Sequence, residues 1–383
     1  MTRVVVALDS FKGSIGAAAA SAALADGWRD ADPAADLRLR PMADGGEGTL
    51  EAFAAAVPGA RRMPVPVRGP HGRPVAASWL LLPSSVGGAG TGVVELAGTS
   101  GIELLGDERR PWDADTFGFG QAIAAALDHG VDRLVLGIGS SASTDGGVGL
   151  LVALGARVVD AAGAPVRPGA RGLADVAHVD LAGIRPLPRG GAVVLTDVTN
   201  PLLGPTGAAA VFGPQKGLAP SDIARVDRDL ARYAALVALD RPDGLDAGAP
   251  GTGAAGGTGF ALAAWGADLR RGADDVAALI GLDAALAEAD LVVTGEGSYD
   301  GQSAAGKVPS LVAERAAAAG VPVALVAGRV AAHVDVSAFA GVVSLTVCAG
   351  DAAASLADPA RWLREAGRTL AATAATRGGD GRR

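Results

Sequence analysis

The residues of this chain that could do chemistry stand in short clusters, each at the end of an apolar run. Asp9, Ser10 and Lys12 follow Val4–Leu8, Asp197 and Asn200 follow Ala192–Leu195, and Glu296 and Asp300 follow the run from Leu291 to Thr294. If those runs are strands, the clusters lie at strand carboxyl ends, where α/β sheets bind ligands. Glu296 and Asp300 are hard oxygen donors of the kind that suits a Mg²⁺–phosphate complex, although a solvated acidic turn would read the same way. Lys307 follows in Gly306-Lys-Val-Pro309, well placed to neutralise a phosphate. The segment is not a Walker A loop, because Val308 stands where Ser or Thr is required. Asp197 can accept a hydroxyl proton; its plainer reading is a turn before Pro201. Ser10 and Ser14 have a plainer reading too, as helix caps.

Glycine-rich loops form a second set. Gly137-Ile-Gly-Ser-Ser-Ala-Ser-Thr-Asp-Gly-Gly147 follows the apolar run Arg133–Ile138. Its small residues let backbone approach a phosphate, with Ser140, Ser141, Ser143 and Thr144 adding hydroxyls. The competing view is a βα turn with Asp145 as its cap. A short echo recurs in Asp44-Gly-Gly-Glu-Gly-Thr-Leu50, Asp145-Gly-Gly-Val-Gly-Leu-Leu151 and Ala255-Gly-Gly-Thr-Gly-Phe-Ala261. Each copy precedes an apolar segment, as expected of a glycine turn presenting backbone N–H groups at a helix N-terminus. The same region also fits G-x-G-x-x-A at Gly137–Ala142, with Asp160 about 20 residues on, a dinucleotide-binding pattern. That pattern needs a helix opening by Ala142 and would place Gly146, Gly147 and Gly149 in its first turns, at ~1 kcal/mol each.

Composition sharpens the choice of residues. Lysine occurs only at 12, 216 and 307, so 30 of the 33 basic residues are arginine (33 − 3); asparagine occurs only at 200. Where arginine replaces lysine whenever charge suffices, the surviving lysines mark sites needing a compact ammonium. The net charge of −8 argues against nucleic-acid or anionic-membrane partners. One cysteine, Cys348, excludes an internal disulfide. The apolar start is too short for a signal peptide, and a soluble cytoplasmic protein is expected.

Elements must hold these clusters in place. Strands are expected at Val4–Leu8, Leu37–Arg40, Arg133–Ile138, Ala192–Leu195, 291–294, Val323–Val326 and 342–347, with helices at Ser14–Arg29 and Ser310–Ala319. Strands alternating with helices imply an α/β class with parallel sheet. Residues 63–68 and 76–82, separated by Gly-Pro-His-Gly-Arg-Pro, form a hairpin pattern and hence a partly antiparallel region. The stretch 240–259 reads as a loop, and the tail from 376 onward should fray.

Taken in order, the motifs resemble the class I bacterial glycerate kinase family end to end. The resemblance rests on Ala7-Leu-Asp-Ser-Phe-Lys-Gly13, Ala43-Asp-Gly-Gly-Glu-Gly-Thr49, Glu95-Leu-Ala-Gly-Thr-Ser-Gly101 and Gly139–Gly147. It continues through Asp197-Val-Thr-Asn-Pro-Leu-Leu-Gly204, Phe212-Gly-Pro-Gln-Lys-Gly217, Gly253-Ala-Ala-Gly-Gly257 and Thr294-Gly-Glu-Gly297. Ser298-Tyr299 departs from the family's basic and aliphatic residues before Asp300. The resemblance implies two α/β domains around a cleft. One is Rossmann-like, mainly parallel and discontinuous (1–60 and 285–383), and the other is inserted with a mixed sheet (61–284). It further implies ATP-dependent, Mg²⁺-assisted phosphorylation of D-glycerate, with 2-phosphoglycerate the favoured product, by a monomer or homodimer. On that reading Asp197 is the proton acceptor, while Lys12 and Lys307 attend the carboxylate or the transferring phosphate. Asp9, Ser10 and Asn200 bind substrate, and Asp44, Glu296 and Asp300 stand on the metal side. Gly139, Ser140, Ser141, Thr144, Asp145, Gly146, Gly147, Gly256 and Gly257 form phosphate nests. Two rivals stay open: an NAD-dependent oxidoreductase using Gly137–Ala142, and a non-catalytic sensor of a related acid.

Overall fold

The computed structural model describes residues 1–43, 45–84, 87–241, 244–270, 272–300 and 308–380. Along the chain the strands are β1 (Arg3–Leu8), β2 (Asp36–Leu39), β3 (Arg61–Arg68), β4 (Pro74–Leu82), β5 (Thr91–Glu95), β6 (Arg133–Gly137) and β7 (Arg157–Val159). They continue as β8 (His178–Asp180), β9 (Ala192–Leu195), β10 (Asp268–Arg270), β11 (Leu291–Tyr299), β12 (Val323–Val330) and β13 (Gly341–Ser344). Hydrogen bonds order them as β13-β12-β11-β1-β2 in one sheet and β10-β9-β6-β5-β4-β3 in another, beside a small β7–β8 ribbon. The first sheet is parallel throughout. The second is mixed: β5, β6, β9 and β10 run parallel, and the expected hairpin adds β3 and β4 antiparallel. The α/β class read from the sequence is what the chain adopts.

Two compact units result, one of Met1–Ala43, Glu51–Pro58 and Ala273–Arg383, the other of Asp44–Leu50 and Gly59–Gly272. In the first, β1 is buried from Val4 to Leu8. A strand covered on both faces reads as a continuous apolar run rather than an alternating one. Leu24 and Trp28 of the helix Ala17–Ala31 share its core with Leu363, Ala366 and Leu370 of the helix Pro359–Asp380. Those helices approach closely because glycines stand where they meet. A Cβ on Gly27 would lie 1.8 Å from the Arg364 carbonyl oxygen, and one on Gly367 2.1 Å from that of Leu24. In the second unit Val94, Leu136 and Val194 of the sheet pack with Phe119, Ile123, Leu230, Tyr233 and Phe260 from its helices.

Several boundaries differ from expectation for local reasons. The run 342–347 is a strand only to Ser344; Leu345–Ala349 is helical. The Thr346 hydroxyl turns back to the Gly328 carbonyl, and Leu345 is buried while Val347 is exposed. The first helix starts at Ala17, because Phe11–Ile15 closes on itself in a turn with Gly13 at φ +73°. The irregular stretch expected to reach 259 runs nearly that far, since Ala255, Gly256 and Gly257 hold non-helical, positive-φ backbone and regular helix follows from Thr258; the last helix spans Pro359–Asp380. Among the described residues no helix is long and apolar enough to cross a membrane.

Candidate active site

Both units carry polar groups where parallel strands end. In the first unit, β1 gives way to Asp9, whose N–H donates to the Gly295 carbonyl of β11 (2.8 Å) and whose carboxylate accepts from the Ser10 N–H (2.7 Å). Asp9 is buried at 9% exposure, whereas Lys12 is exposed on the following turn. Gly297 of β11 lies beneath that turn, so that a Cβ there would meet Lys12 N and Phe11 Cα at 3.3 Å. Glu296 is buried near the carboxyl end of β11, and Asp300 is half-buried just past Tyr299. Burial pushes the Tyr299 hydroxyl up, and the neighbouring Glu296 carboxylate adds to the shift. Position 298 lacks a basic side chain of its own, but Arg329 of β12 stands across the ladder with its guanidinium 3.4 Å from the Ser298 hydroxyl. Asp44 and Lys307 lie outside the described residues.

In the second unit the glycine loops interlock. Gly139 donates its N–H to the Gly45 carbonyl (2.9 Å), and a Cβ on Gly139 would lie 2.4 Å from Gly46 Cα. Gly146 donates to the Gly256 carbonyl (3.0 Å). A Cβ on Gly257 would come within 2.8 Å of Gly146 Cα, and one on Gly147 within 2.3 Å of Ala261 Cβ. Gly146, Gly147, Gly256 and Gly257 all have positive φ, as does Ala255 between the two loops' contacts. The echo seen in the sequence is thus largely a device by which backbone packs on backbone, with several N–H groups already used internally. Glu95, at the end of β5, serves the first copy by accepting from the N–H groups of Gly48 (3.2 Å) and Leu50 (3.0 Å).

Asp145 anchors this arrangement. Fully buried, it accepts from Thr116 N–H (3.0 Å), Thr116 Oγ1–H (2.8 Å), Gly147 N–H (3.2 Å) and Gly149 N–H (3.1 Å). Lys216 lies close by at 2% exposure, donating from Nζ to Ser141 Oγ (2.7 Å) and the Ser143 carbonyl (2.5 Å). Burial pushes its ammonium down to about 7, with the Asp145 charge opposing. The Ser143 and Thr144 hydroxyls and the Tyr233 phenol are buried with no hydrogen-bond partner among the described residues. Ser141, Thr144, Asp145, Gly146, Gly147, Gly256 and Gly257 are interior, while Gly139 is half-buried and Ser140, at φ +60°, is exposed. Sequence reasoning singled out Lys216 for its scarcity yet did not place it among the site residues; its burial beside the loops could not be read from Gln-Lys-Gly alone.

At the end of β9, Asp197 is exposed, and its Oδ1 accepts from the Gly272 N–H (3.2 Å). Asn200 donates from Nδ2 to the Thr206 carbonyl (2.7 Å), and its own carbonyl accepts from Gly253 N–H (3.0 Å). The turn after β9 is therefore tied to the loop that holds Gly256 and Gly257.

The dinucleotide reading does not survive this geometry. After β6 the chain forms no helix until Val148, and the Ala142 N–H, which should sit in a first helical turn, donates to the Ser100 carbonyl. Asp160 holds a tight turn, accepting from Ala162 and Ala164 N–H groups (2.9 Å each).

Comparison with known proteins places these features in context. Residues 4–375 match the family model described as the glycerate kinase family. The chain is 40% identical to a glycerate kinase of Bacillus subtilis (strain 168), over 86% of this chain and 85% of the relative. It is also 40% identical to a glycerate 2-kinase of Escherichia coli (strain K12), over 87% of each. The crystal structure of a glycerate kinase 2 from Salmonella typhimurium LT2 superposes with a TM-score of 0.84, at 40% identity and 99% coverage of both chains.

Proposed function

This chain belongs to the glycerate kinase family, and from that premise we propose that it phosphorylates D-glycerate on its 2-hydroxyl, with ATP and Mg²⁺. Family membership carries the glycerate kinase activity, and the name of the Escherichia coli relative favours the 2-position. No finding supports the oxidoreductase alternative.

Phosphoryl transfer needs positioned groups and compensated charge more than covalent chemistry from the protein. Asp197, exposed at the end of β9 and oriented by the Gly272 N–H, takes the proton of the attacking hydroxyl. Lys12, with Lys307, counters the charge of the glycerate carboxylate and the transferring phosphate. Asp9, Ser10 and Asn200 hold the substrate. Mg²⁺ retains waters and takes one or two protein carboxylates alongside phosphate oxygens. Glu296 and Asp300 fit that demand, with Asp44 the third candidate. No group of three or more metal-type side chains occurs among the described residues. When bound, the ion would neutralise charge between the phosphates. For the phosphates themselves, the exposed Ser140 is the first contact, with the half-buried Gly139 beside it. The interior members, Ser141, Thr144, Asp145, Gly146, Gly147, Gly256 and Gly257, shape the loop from behind. The protein works in the cytoplasm as a monomer or homodimer.

A ³¹P NMR spectrum of the protein with D-glycerate and MgATP tests this reading. We expect ADP and 2-phosphoglycerate resonances to grow together. A 3-phosphoglycerate signal would reject the regiochemistry, and no ATP consumption above background would reject the activity.

A further inference from the structure

Of the three lysines, Lys216 is the one to which the phosphoryl-transfer chemistry gives no task. It ends the short helical turn Pro214–Lys216 and is buried at 2% exposure. Taking an amine out of water is unfavourable unless hydrogen bonds compensate. Both bonds of its Nζ go to a single loop, to Ser141 Oγ (2.7 Å) and to the Ser143 carbonyl (2.5 Å).

That loop is fixed by backbone only towards its ends. Gly139 N–H donates to the Gly45 carbonyl, Ile102 N–H to the Ser140 carbonyl, Ala142 N–H to the Ser100 carbonyl and Gly146 N–H to the Gly256 carbonyl. In between, the N–H groups of Ser143, Thr144 and Asp145 donate to no acceptor among the described residues. The middle of the loop is held instead by side chains: Lys216, and the Asp145 carboxylate through Thr116, Gly147 and Gly149. Ser140 stands next to the first of the Lys216 contacts, exposed and at φ +60°. Left-handed backbone costs a residue with a side chain about 1–2 kcal/mol and persists only where the surroundings over-determine it.

The space around Nζ suits an amine and nothing broader. A Cβ on Gly256 would lie 3.0 Å from Nζ and 2.1 Å from the Ser143 carbonyl oxygen, so the Gly256 backbone closes against the amine. A planar guanidinium does not fit there, which accounts for a lysine in a chain where 30 of the 33 basic residues are arginine (33 − 3). Asp145 is the charge that bears on the amine. Tyr233 is the other ionisable group beside that carboxylate, and Arg109, against the adjoining Gly217, is exposed. The neighbouring helices Ala208–Phe212 and Ala254–Trp265 contain no ionisable side chain. Two acceptors match the two N–H groups of a neutral amine, and protonation adds a third donor without one.

We propose that Lys216 is a positioning residue for the nucleotide: through Ser141 and Ser143 it holds Ser140 and Gly139 in the shape that meets the phosphates of ATP. This role rests on Ser140 being a phosphate contact of the kinase reaction. The uncharged amine fits the loop best, so ATP affinity falls as pH drops through about 7, where the amine gains its proton.

Calorimetric titration of the parent and of Lys216→Met with MgATP, without glycerate, tests the assignment beside steady-state kinetics. At about pH 8 the variant should bind ATP about tenfold or more weakly, and its KM for ATP should rise with it, since small misplacements of phosphate contacts are costly. Its KM for glycerate should stay within about twofold. From about pH 8 to 6 the parent should lose affinity for ATP in a step that the variant lacks. A lysine that served stability alone would lower the folded fraction and the apparent kcat but move neither the ATP dissociation constant nor its pH profile. Unchanged ATP affinity in the folded variant would therefore overturn the proposal, as would equal rises in KM for both substrates or a pH step shared by both proteins. If Lys216→Met does not fold, Ser141→Ala, which removes one of the two acceptors, takes its place; it should weaken ATP binding by about threefold or more, and no change would again overturn the proposal. Because binding is read without glycerate, a parent that binds ATP but leaves glycerate unphosphorylated would reject the kinase reading while the affinities still decide the role of Lys216. A parent that does not bind ATP would overturn both.

Discussion

Asp197 and Lys216 show how the surroundings of a residue decide what its charge is for. Asp197 stands exposed at a strand end with one oxygen fixed by a backbone N–H, the position of a group that must meet a substrate. Asp197→Asn keeps the shape and the Gly272 contact but removes the proton acceptor. It should lower kcat by about 10²–10⁴ while leaving the melting temperature nearly unchanged. A variant with near-parental kcat and an unaltered pH profile would take Asp197 out of the mechanism. Lys216, by contrast, is buried with two acceptors around Nζ, which match the two N–H groups of a neutral amine. Its ammonium titrates near 10.5 when unfolded and about 7 when folded. Between those values the unfolded chain holds a proton that the folded chain has released, so stability rises with pH from about 7 and is lost again as pH falls towards 7. The Lys216→Met variant lacks this dependence. Between pH 7 and 9 the parent should gain about 1–3 kcal/mol relative to the variant in denaturant unfolding. A constant difference across that range would show that the buried lysine keeps its proton.

At the scale of the element, the glycine loops carry the main lesson. Sequence pattern located all three copies and the strands before the first two, because apolar runs bounded by glycine are local features. It could not tell whether an N–H freed by a glycine turn faces a phosphate or another loop, since that depends on which copies meet. In the fold the second and third copies meet each other, and the first meets Gly139. The positive φ angles and the absence of side chains serve that contact directly. Gly147→Val makes the distinction measurable. A β-branched side chain is disfavoured at φ +75°, by about 1–2 kcal/mol, and its Cβ would overlap that of Ala261, adding about 1–3 kcal/mol of overpacking. The second unit should therefore unfold earlier, while KM for ATP in the folded fraction changes little. A large rise in KM for ATP with unchanged unfolding would instead make Gly147 a phosphate contact. The same limit explains the site residues that sequence reasoning missed. Arg329 neighbours Ser298 only through the pairing of β11 with β12, and Glu95 meets Gly48 only once 47 residues have been folded back.

For the molecule as a whole, the two units differ in how the chain builds them. The first draws β1 and β2 from one end of the sequence and β11 to β13 from the other, with β11 at the centre of the pairing and β1 beside it. Its strands were legible because both faces are buried, but the closing helix Pro359–Asp380 was not, since its partner helix lies more than 300 residues earlier. Each unit has a hydrophobic core of its own, around Val6, Trp28 and Leu363 in the first and around Leu136, Phe119 and Tyr233 in the second. Compact units with separate cores tend to open separately. Gly27→Val tests this where two helices of the first core meet, since even a Cβ would stand 1.8 Å from the Arg364 carbonyl oxygen. Helix backbone cannot give way there without withdrawing Leu363, Ala366 and Leu370 from the sheet they cover, so the loss should exceed the usual 1–3 kcal/mol of an overpacked core, at about 3 kcal/mol or more. Hydrogen exchange followed by mass spectrometry should then show β1, β11 and β12 losing protection while β5, β6 and β9 keep theirs. Equal loss in both sheets would mean that the chain unfolds as one cooperative body, with the two cores stabilising each other despite their separate composition.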